Sequence, residues 1–211
     1  MTTRVLTALT IASGILAIIG QYVGPRWIVY VFKPLTTIFI LAIAFLGGAA
    51  SPPIYMIMIL IGLVFSLAGD VFLMLPSDQF ILGLVSFLIA QICYIVAFTS
   101  GRGFSFNMAS LVPVLVYGVI VYVLLSANLG KMRLPVIAYM IVILVMAWQA
   151  WERSSALGER AALLAFVGAV LFVISDTLLA LNRFRGEFAA ERALTLGTYY
   201  VAQWLIASSI I

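Results

Sequence analysis

The sequence predicts an all-α membrane protein, a polytopic bundle of about eight transmembrane helices. Of its 211 residues, 65% are hydrophobic and only 9% are charged, whereas a soluble domain averages about 45–50% apolar and about 25% charged residues. Apolar runs near the roughly 20 residues that cross a bilayer follow one another with short turns between them. No water-soluble fold of this size could bury so much apolar surface, so lipid must be the solvent for most of the chain.

Turn residues set the limits of the predicted spans. Gly47-Gly48, Pro52-Pro53 and Gly101-Arg102-Gly103 are typical of the breaks between the apolar runs. The second span is short and begins at Lys33-Pro34, since a proline suits the first turn of a helix. Residues 1–211 then form a single transmembrane domain without a soluble one. The predicted spans are Arg4–Gly20, Lys33–Gly47, Pro52–Leu75, Phe80–Ser100, Ala109–Ser126, Leu134–Trp151, Arg160–Asn182 and Leu194–Ile211.

Charge predicts the location and orientation of the chain. The net charge is +4, but the basic residues stand singly in loops, which indicates the positive-inside bias and not a nucleic-acid partner. Seven of the eleven Lys and Arg residues lie in the loops after odd-numbered spans, which predicts both termini outside the cytoplasm. The apolar N-terminal run is followed by another hydrophobic segment, so we expect a first span and no cleavable signal peptide. In a bacterium the protein would lie in the cell (inner) membrane; its oligomeric state stays open.

An internal repeat runs through the chain. A glycine precedes an aspartate by eight residues in both Gly62–Asp70 and Gly168–Asp176. A tyrosine follows each aspartate by 24 residues, with a glutamine within three residues of it: Tyr94 with Gln91, and Tyr200 with Gln203. The pattern predicts a 4+4 tandem repeat, residues 1–105 and 106–211, with the halves related by an axis along the membrane normal. Chance similarity between apolar segments is the alternative.

Asp70 and Asp176 are the candidate catalytic residues. An aspartate within a span costs about 2.5–3.5 kcal/mol on insertion scales, so such residues face the bundle interior and are usually functional. Each lies near the end of its span that leads into an odd-numbered loop, so both should open toward the more basic face. The alternative is structural: a hydrogen bond between helices, or an ion pair with Lys33 or Arg183.

Six further polar residues are candidate substrate-binding residues. Glutamine and tyrosine side chains on spans 4 and 8 could form a polar wall opposite the aspartates, although they could equally hold helices together. Lys33 could hold a lipid phosphate, although interfacial lysines commonly extend their charge to the membrane surface. Histidine is absent, which excludes a histidine base and histidine-ligated metals. The candidates are Lys33, Gln91, Tyr94, Tyr199, Tyr200 and Gln203.

Several motifs together resemble the YhhN family of membrane proteins, whose eukaryotic members are lysoplasmalogenases. The resemblance covers about residues 30–206, with one departure: Gln91 stands where a histidine is expected in animal members. The motifs are Lys33-Pro34-Leu35, Phe65-Ser66-Leu67-Ala68-Gly69-Asp70, Phe87 to Phe98 with Gln91 and Tyr94, Leu171 to Ala180 with Ser175-Asp176, and Thr198-Tyr199-Tyr200 with Gln203.

The resemblance implies hydrolysis of the vinyl ether of a lysoplasmalogen, an alkenyl-glycerophosphocholine or -ethanolamine, to a fatty aldehyde and the glycerophospho-base. Asp70 and Asp176 would then form an acid/base pair like that of a glycosidase, with one carboxyl protonated and the other anionic. Lys33 and the tyrosines would bind the headgroup. The substrate is a membrane lysophospholipid, and the chemistry requires no metal or cofactor.

Two other classes of function stay open at this point. Intramembrane carboxylates in a two-fold repeat are also typical of a proton-coupled transporter or lipid carrier. A transporter needs a site near the midplane, whereas both aspartates are expected to open to one face. A non-catalytic structural membrane protein is the third class, and it gives no reason for two aligned aspartates.

Overall fold

The computed structural model describes residues 2–48 and 51–210, which form eight α-helices. The predicted all-α class is therefore confirmed, while the predicted last residue of the final span, Ile211, lies outside the described residues. A 3₁₀ turn at Gly130–Met132 precedes the sixth helix. The helices are α1 Thr2–Tyr22, α2 Trp27–Gly47, α3 Pro53–Met74, α4 Phe80–Thr99, α5 Met108–Ser126, α6 Arg133–Leu157, α7 Arg160–Arg185 and α8 Glu191–Ser208.

Seven helices, α1 to α7, are long and apolar enough to cross a membrane. The eighth, α8, is more polar but lies antiparallel along α7. Ser175 Oγ donates a hydrogen bond to the Thr195 carbonyl, 3.0 Å away, and Gly168 lies against Ala202 and Ile206 further along the pair. A helix covered by neighbours meets less lipid and needs fewer apolar side chains. The chain is thus a multi-pass integral membrane protein.

One hydrophobic core joins most of the bundle. It takes buried side chains from α1 to α4 and from α6 to α8. α5 lies at the periphery, where Val121 and Leu125 form a smaller cluster with Leu129 and Val136. Most of the large apolar side chains of α5 are exposed, as expected of a helix that faces lipid.

The predicted start of the second helix is wrong. α2 begins at Trp27, so Pro34 lies inside the helix and not in its first turn. The apolar residues before Lys33 pack on α1, which favours a longer helix. A proline within a membrane helix is tolerated where hydroxyl side chains satisfy the backbone nearby. Pro34 removes the N–H partner of the Tyr30 carbonyl; close by, Ser13 and Thr36 both donate to the Phe32 carbonyl, at 3.1 and 2.7 Å.

The sixth helix extends to Leu157, past its predicted end at Trp151. The C-terminal part of α6, from Gln149 onward, holds the connection between α4 and α5. The Gln149 amide exchanges two hydrogen bonds of 3.0 Å with the backbone of Ser105. Glu152 accepts a hydrogen bond of 2.7 Å from the Ser105 hydroxyl. Polar side chains at the end of α6 therefore fix this loop. The hydrophobic pattern alone ends the span before Glu152.

Two glycines make a matched pair for a stability prediction. A Cβ at Gly69 would lie 2.6 Å from the Phe87 ring, and that ring is held edge-to-face by Phe172 and Tyr199. We expect Gly69→Ala to destabilise the protein by about 1–3 kcal/mol through overpacking. Gly197→Ala meets open space and should stabilise α8 by about 0.5–1 kcal/mol. Thermal unfolding in detergent measures both, and equal effects would contradict close packing of α3 on α4.

Candidate active site

Asp70 lies in α3 on a stripe of small residues that faces the bundle interior. Gly62 packs against the Tyr94 ring and Gly69 against the Phe87 ring, so α3 and α4 approach closely. This packing turns Asp70 away from lipid and leaves it only 2% exposed.

The Asp70 carboxylate has three partners among the described residues. Its Oδ2 accepts hydrogen bonds from the Thr37 hydroxyl at 2.7 Å and the Tyr199 hydroxyl at 2.8 Å. The Lys33 ammonium lies 3.7 Å from Oδ1 and is itself almost completely buried. One cation and two hydroxyl donors are the partners that an ionised buried carboxylate requires.

Asp176 lies in α7 in a different environment. Its Oδ2 accepts hydrogen bonds from the Tyr139 hydroxyl and from Gln91 Nε2, the latter at 3.4 Å. Within the described residues, no basic side chain lies in salt-bridge distance of it. The two aspartates thus differ in charge environment: Asp70 has a cation beside it and Asp176 has only neutral donors.

The donors to the two aspartates come from corresponding helices. Each aspartate accepts from the second helix of its own predicted half, Thr37 on α2 or Tyr139 on α6. Each also accepts from the last helix of the other half, Tyr199 on α8 or Gln91 on α4. This exchange agrees with the 4+4 repeat, which stays a prediction.

Both aspartates line one cavity of about 270 Å³. It lies at the end of the bundle where the odd-numbered loops connect the helices. Its outer wall includes Asp78, from the α3–α4 connection, and Arg183, which form an exposed ion pair of 2.7 Å. Glu191 and Arg192 complete that wall at the start of α8. The inner part is therefore acidic and hydroxyl-rich, while the outer part carries charges of both signs.

A second, apolar pocket meets the polar cavity at Asp176. It lies between α4, α5, α6 and α7, and its polar lining among the described residues is limited to Tyr117, Tyr139, Asp176 and Thr177. Tyr117 and Thr177 share a hydrogen bond of 2.8 Å that links α5 to α7. Asp176 thus stands where a polar compartment and an apolar one join, a position suited to an amphipathic ligand.

The six predicted substrate-binding residues separate into two groups. Lys33 and Tyr199 line the polar cavity. The other four are buried and are not among the residues that line it. Their roles in substrate binding therefore stay predictions; they are Gln91, Tyr94, Tyr200 and Gln203.

The side chains of Tyr94, Gln203 and Ser66 form a buried hydrogen-bond network next to Asp70. The Tyr94 hydroxyl donates to Gln203 Oε1 at 2.7 Å, and Gln203 Nε2 donates to the Ser66 hydroxyl at 3.2 Å. This network joins α3, α4 and α8, the helices that carry Asp70 and its donor Tyr199. Tyr200 instead packs near Gly14 on α1, and its hydroxyl has no hydrogen-bond partner among the described residues.

Comparison with known proteins identifies the family. A sequence model of the YhhN family matches residues 28–210. The chain belongs to the YhhN family. The match covers both aspartates and every side chain that contacts them, so the resemblance seen in the motifs is confirmed. No solved structure matches the chain.

Relatives of this family member occur in bacteria and mammals. "Uncharacterized membrane protein YhhN" of Escherichia coli O157:H7 is 30% identical over 92% of this chain and 93% of its own length. "Lysoplasmalogenase TMEM86A" of Homo sapiens is 35% identical over 72% of this chain and 65% of its own. "Lysoplasmalogenase TMEM86B" of Homo sapiens is 31% identical over 70% and 60%.

Thr37 and Tyr139, which both donate to an aspartate, were not found from the sequence. Thr37 follows Lys33 by one helical turn, so a search at that spacing could have found it. Nothing marks Tyr139 among the nine tyrosines of the chain. Its contact with Asp176 depends on how α6 packs on α7, which no local pattern encodes.

Proposed function

We propose that this member of the YhhN family hydrolyses the vinyl ether bond of a lysoplasmalogen, releasing a fatty aldehyde and a glycerophospho-base. The observation that carries the proposal is the position of Asp176, which borders both the polar cavity that it shares with Asp70 and the apolar pocket. A lysoplasmalogen has its reactive bond at the junction of a polar headgroup and an apolar chain. Two mammalian relatives that are named lysoplasmalogenases support the same substrate class.

The environments of the two carboxyls support different roles for them. Asp70, beside the Lys33 ammonium, is the anionic group. Asp176 is partly buried and has only the uncharged donors Tyr139 and Gln91. A carboxyl that is withdrawn from water without a cation is favoured in its neutral form. Asp176 is therefore the acid, and Asp70 stabilises positive charge and activates water.

The reaction balances with these two groups and one water. Asp176 donates its proton to the vinyl carbon distal to oxygen, which leaves an oxocarbenium ion next to the anionic Asp70. Water adds to the carbon bonded to oxygen while Asp70 accepts a proton from it. The hemiacetal then collapses: its hydroxyl proton returns to Asp176, the bond to the glycerol oxygen breaks, and that oxygen receives the proton held by Asp70.

Labelled solvent and matched lipids test this proposal. We expect purified protein in lipid nanodiscs to release aldehyde from 1-alkenyl lysophospholipid. It should release no fatty acid from the 1-acyl analogue and no product from the 1-alkyl ether, which has no double bond to protonate. In D₂O, the aldehyde should carry one deuterium on the carbon next to the carbonyl when it is reduced at once and analysed by mass spectrometry.

Two results would contradict the hydrolase. One is the absence of aldehyde from folded, monodisperse protein. The other is uptake of lysolipid driven by a proton gradient into protein-containing liposomes, without cleavage. That second outcome would favour the transporter, although the aspartate cavity lies at one end of the bundle and not at its midplane.

A further inference from the structure

We propose that the outer end of the aspartate cavity and the cationic space beside it form a headgroup site that selects phosphoethanolamine over phosphocholine. In this site Arg26, Lys33 and Arg192 bind the phosphodiester, and Glu191 binds the primary ammonium. The inference rests on the proposed function and goes beyond it by naming the headgroup and the residues that read it.

Three cations converge on a cavity that adjoins the aspartates. Arg26, Lys33 and Arg192 line a space of about 500 Å³, and none of its described lining residues is acidic. Arg26 precedes α2 and Arg192 lies in the first turn of α8, so only the fold brings them together. Lys33 and Arg192 also line the polar cavity, which makes the two spaces neighbours.

The two arginines are available for an anion. Within residues 2–48 and 51–210, the salt bridges are Lys33–Asp70 and Arg183–Asp78, so neither Arg26 nor Arg192 has a carboxylate partner. Arg192 Nη1 donates to the Gln21 carbonyl at 2.9 Å, which fixes the guanidinium and leaves further N–H donors free. Guanidinium groups match the geometry of phosphate oxygens.

Among the described residues, Glu191 is a buried carboxylate with no cation in salt-bridge distance, although Lys33 and Arg192 line the same cavity. It is 5% exposed and lines the same cavity as Asp70 and Asp176. Its one described side-chain hydrogen bond comes from the Thr195 hydroxyl, 3.1 Å from Oε1. A buried charge is costly unless it is paired, and a ligand ammonium in the cavity would supply the partner.

The chemistry of this site favours a primary ammonium over a trimethylammonium. An ethanolamine ammonium donates hydrogen bonds to a carboxylate, whereas choline has no N–H and is usually held by the faces of aromatic rings. Three aromatic residues line the cavity: Phe80 carries the Arg183 guanidinium at 5.0 Å, and Phe87 and Tyr199 pack edge-to-face on each other. With one ring occupied by a cation and the other two packed on each other, the Glu191 carboxylate is the group that favours ethanolamine.

Kinetics with paired substrates test the selection. For alkenyl lysolipids of equal chain length, we expect kcat/KM to be at least about tenfold higher for ethanolamine than for choline, a difference of about 1.4 kcal/mol. Glu191→Gln should bring the ratio close to one by raising KM for ethanolamine alone. Arg192→Gln should raise KM for both lipids. Glu187→Gln, in the neighbouring connection and exposed, is the matched control and should change neither.

Competition experiments distinguish a lipid headgroup from free inorganic phosphate as the anion that the site binds. Glycerophosphoethanolamine should inhibit wild type and lose potency in Glu191→Gln, while inorganic phosphate at the same concentration should not inhibit. Equal kcat/KM for both headgroups in wild type, a ratio unchanged by Glu191→Gln, or equal inhibition by inorganic phosphate would overturn the site.

A binding measurement keeps this test independent of catalysis. Ester lysophosphatidylethanolamine should raise the unfolding temperature of wild type more than lysophosphatidylcholine does, and Glu191→Gln should remove the difference. Absence of aldehyde with this difference present would refute the hydrolase and retain the headgroup site. Equal stabilisation by the two lipids, with aldehyde released, would refute the headgroup site and retain the hydrolase.

Discussion

Asp176→Asn is expected to lower kcat for aldehyde release by at least about a hundredfold, since loss of a general acid typically costs 10²–10⁴ in rate. Asparagine keeps the size of the side chain and can still accept a hydrogen bond from Tyr139, but it cannot donate a proton to carbon. Asp176 takes part in no ion pair among the described residues, so the substitution leaves no uncompensated charge and the protein should fold.

Asp70→Asn should produce a similar loss of activity, because the oxocarbenium ion would form without a neighbouring anion. The two groups act as one unit, so the double variant should be little slower than either single variant. Activity within about tenfold of wild type in Asp176→Asn would exclude it as the acid. If the aspartates only join helices, asparagine should serve almost as well, because amides also bridge helices.

Glu152 provides a matched control for these variants. Like Asp70 it is a buried carboxyl, 8% exposed, and it accepts hydrogen bonds from Ser105 and Ser110. It lies toward the opposite end of the bundle and does not line the aspartate cavity. Glu152→Gln should keep activity within a few-fold of wild type. A large loss here would indicate that removing any buried carboxyl disturbs the bundle.

Lys33→Met is expected to destabilise the protein by about 3–5 kcal/mol, because it leaves the Asp70 carboxylate buried without its cation. The Lys33 ammonium lies 3.7 Å from Asp70 Oδ1, and the two side chains are only 7% and 2% exposed. Unfolding of the detergent-solubilised protein by heat or SDS measures the loss.

The double variant Lys33→Met/Asp70→Asn distinguishes lost charge pairing from lost packing. With no charge left at this position, it should be more stable than Lys33→Met alone. Arg183→Met is the exposed counterpart: the Arg183–Asp78 pair is shorter, at 2.7 Å, but its side chains are 45% and 65% exposed. Its removal should cost no more than about 1 kcal/mol. A double variant no more stable than Lys33→Met would contradict the buried ion pair.

Local sequence signals indicate the two aspartates of the candidate site but only part of their surroundings. Asp70 and Asp176 were predicted because a carboxylate in an apolar span is costly whatever the tertiary fold. Tyr94 and Gln203 belong to the polar residues of the repeat, and the sequence predicts that they bind substrate. In the described structure they hydrogen-bond to each other. A polar residue in a helix signals that it needs a partner, but it does not say whether that partner is a ligand or another helix.

The sequence by itself determined the solvent, the helical class, the approximate spans, the family and the two aspartates. These follow from composition, from apolar runs and from rare residues at fixed spacing, all of which act locally along the chain. Only the tertiary structure decided that Lys33 neutralises Asp70, that Tyr139 and Gln91 contact Asp176, and that Arg26, Arg192 and Glu191 surround the same cavity. Such contacts join residues far apart in sequence, and their energies depend on burial and distance, which arise only when the helices pack.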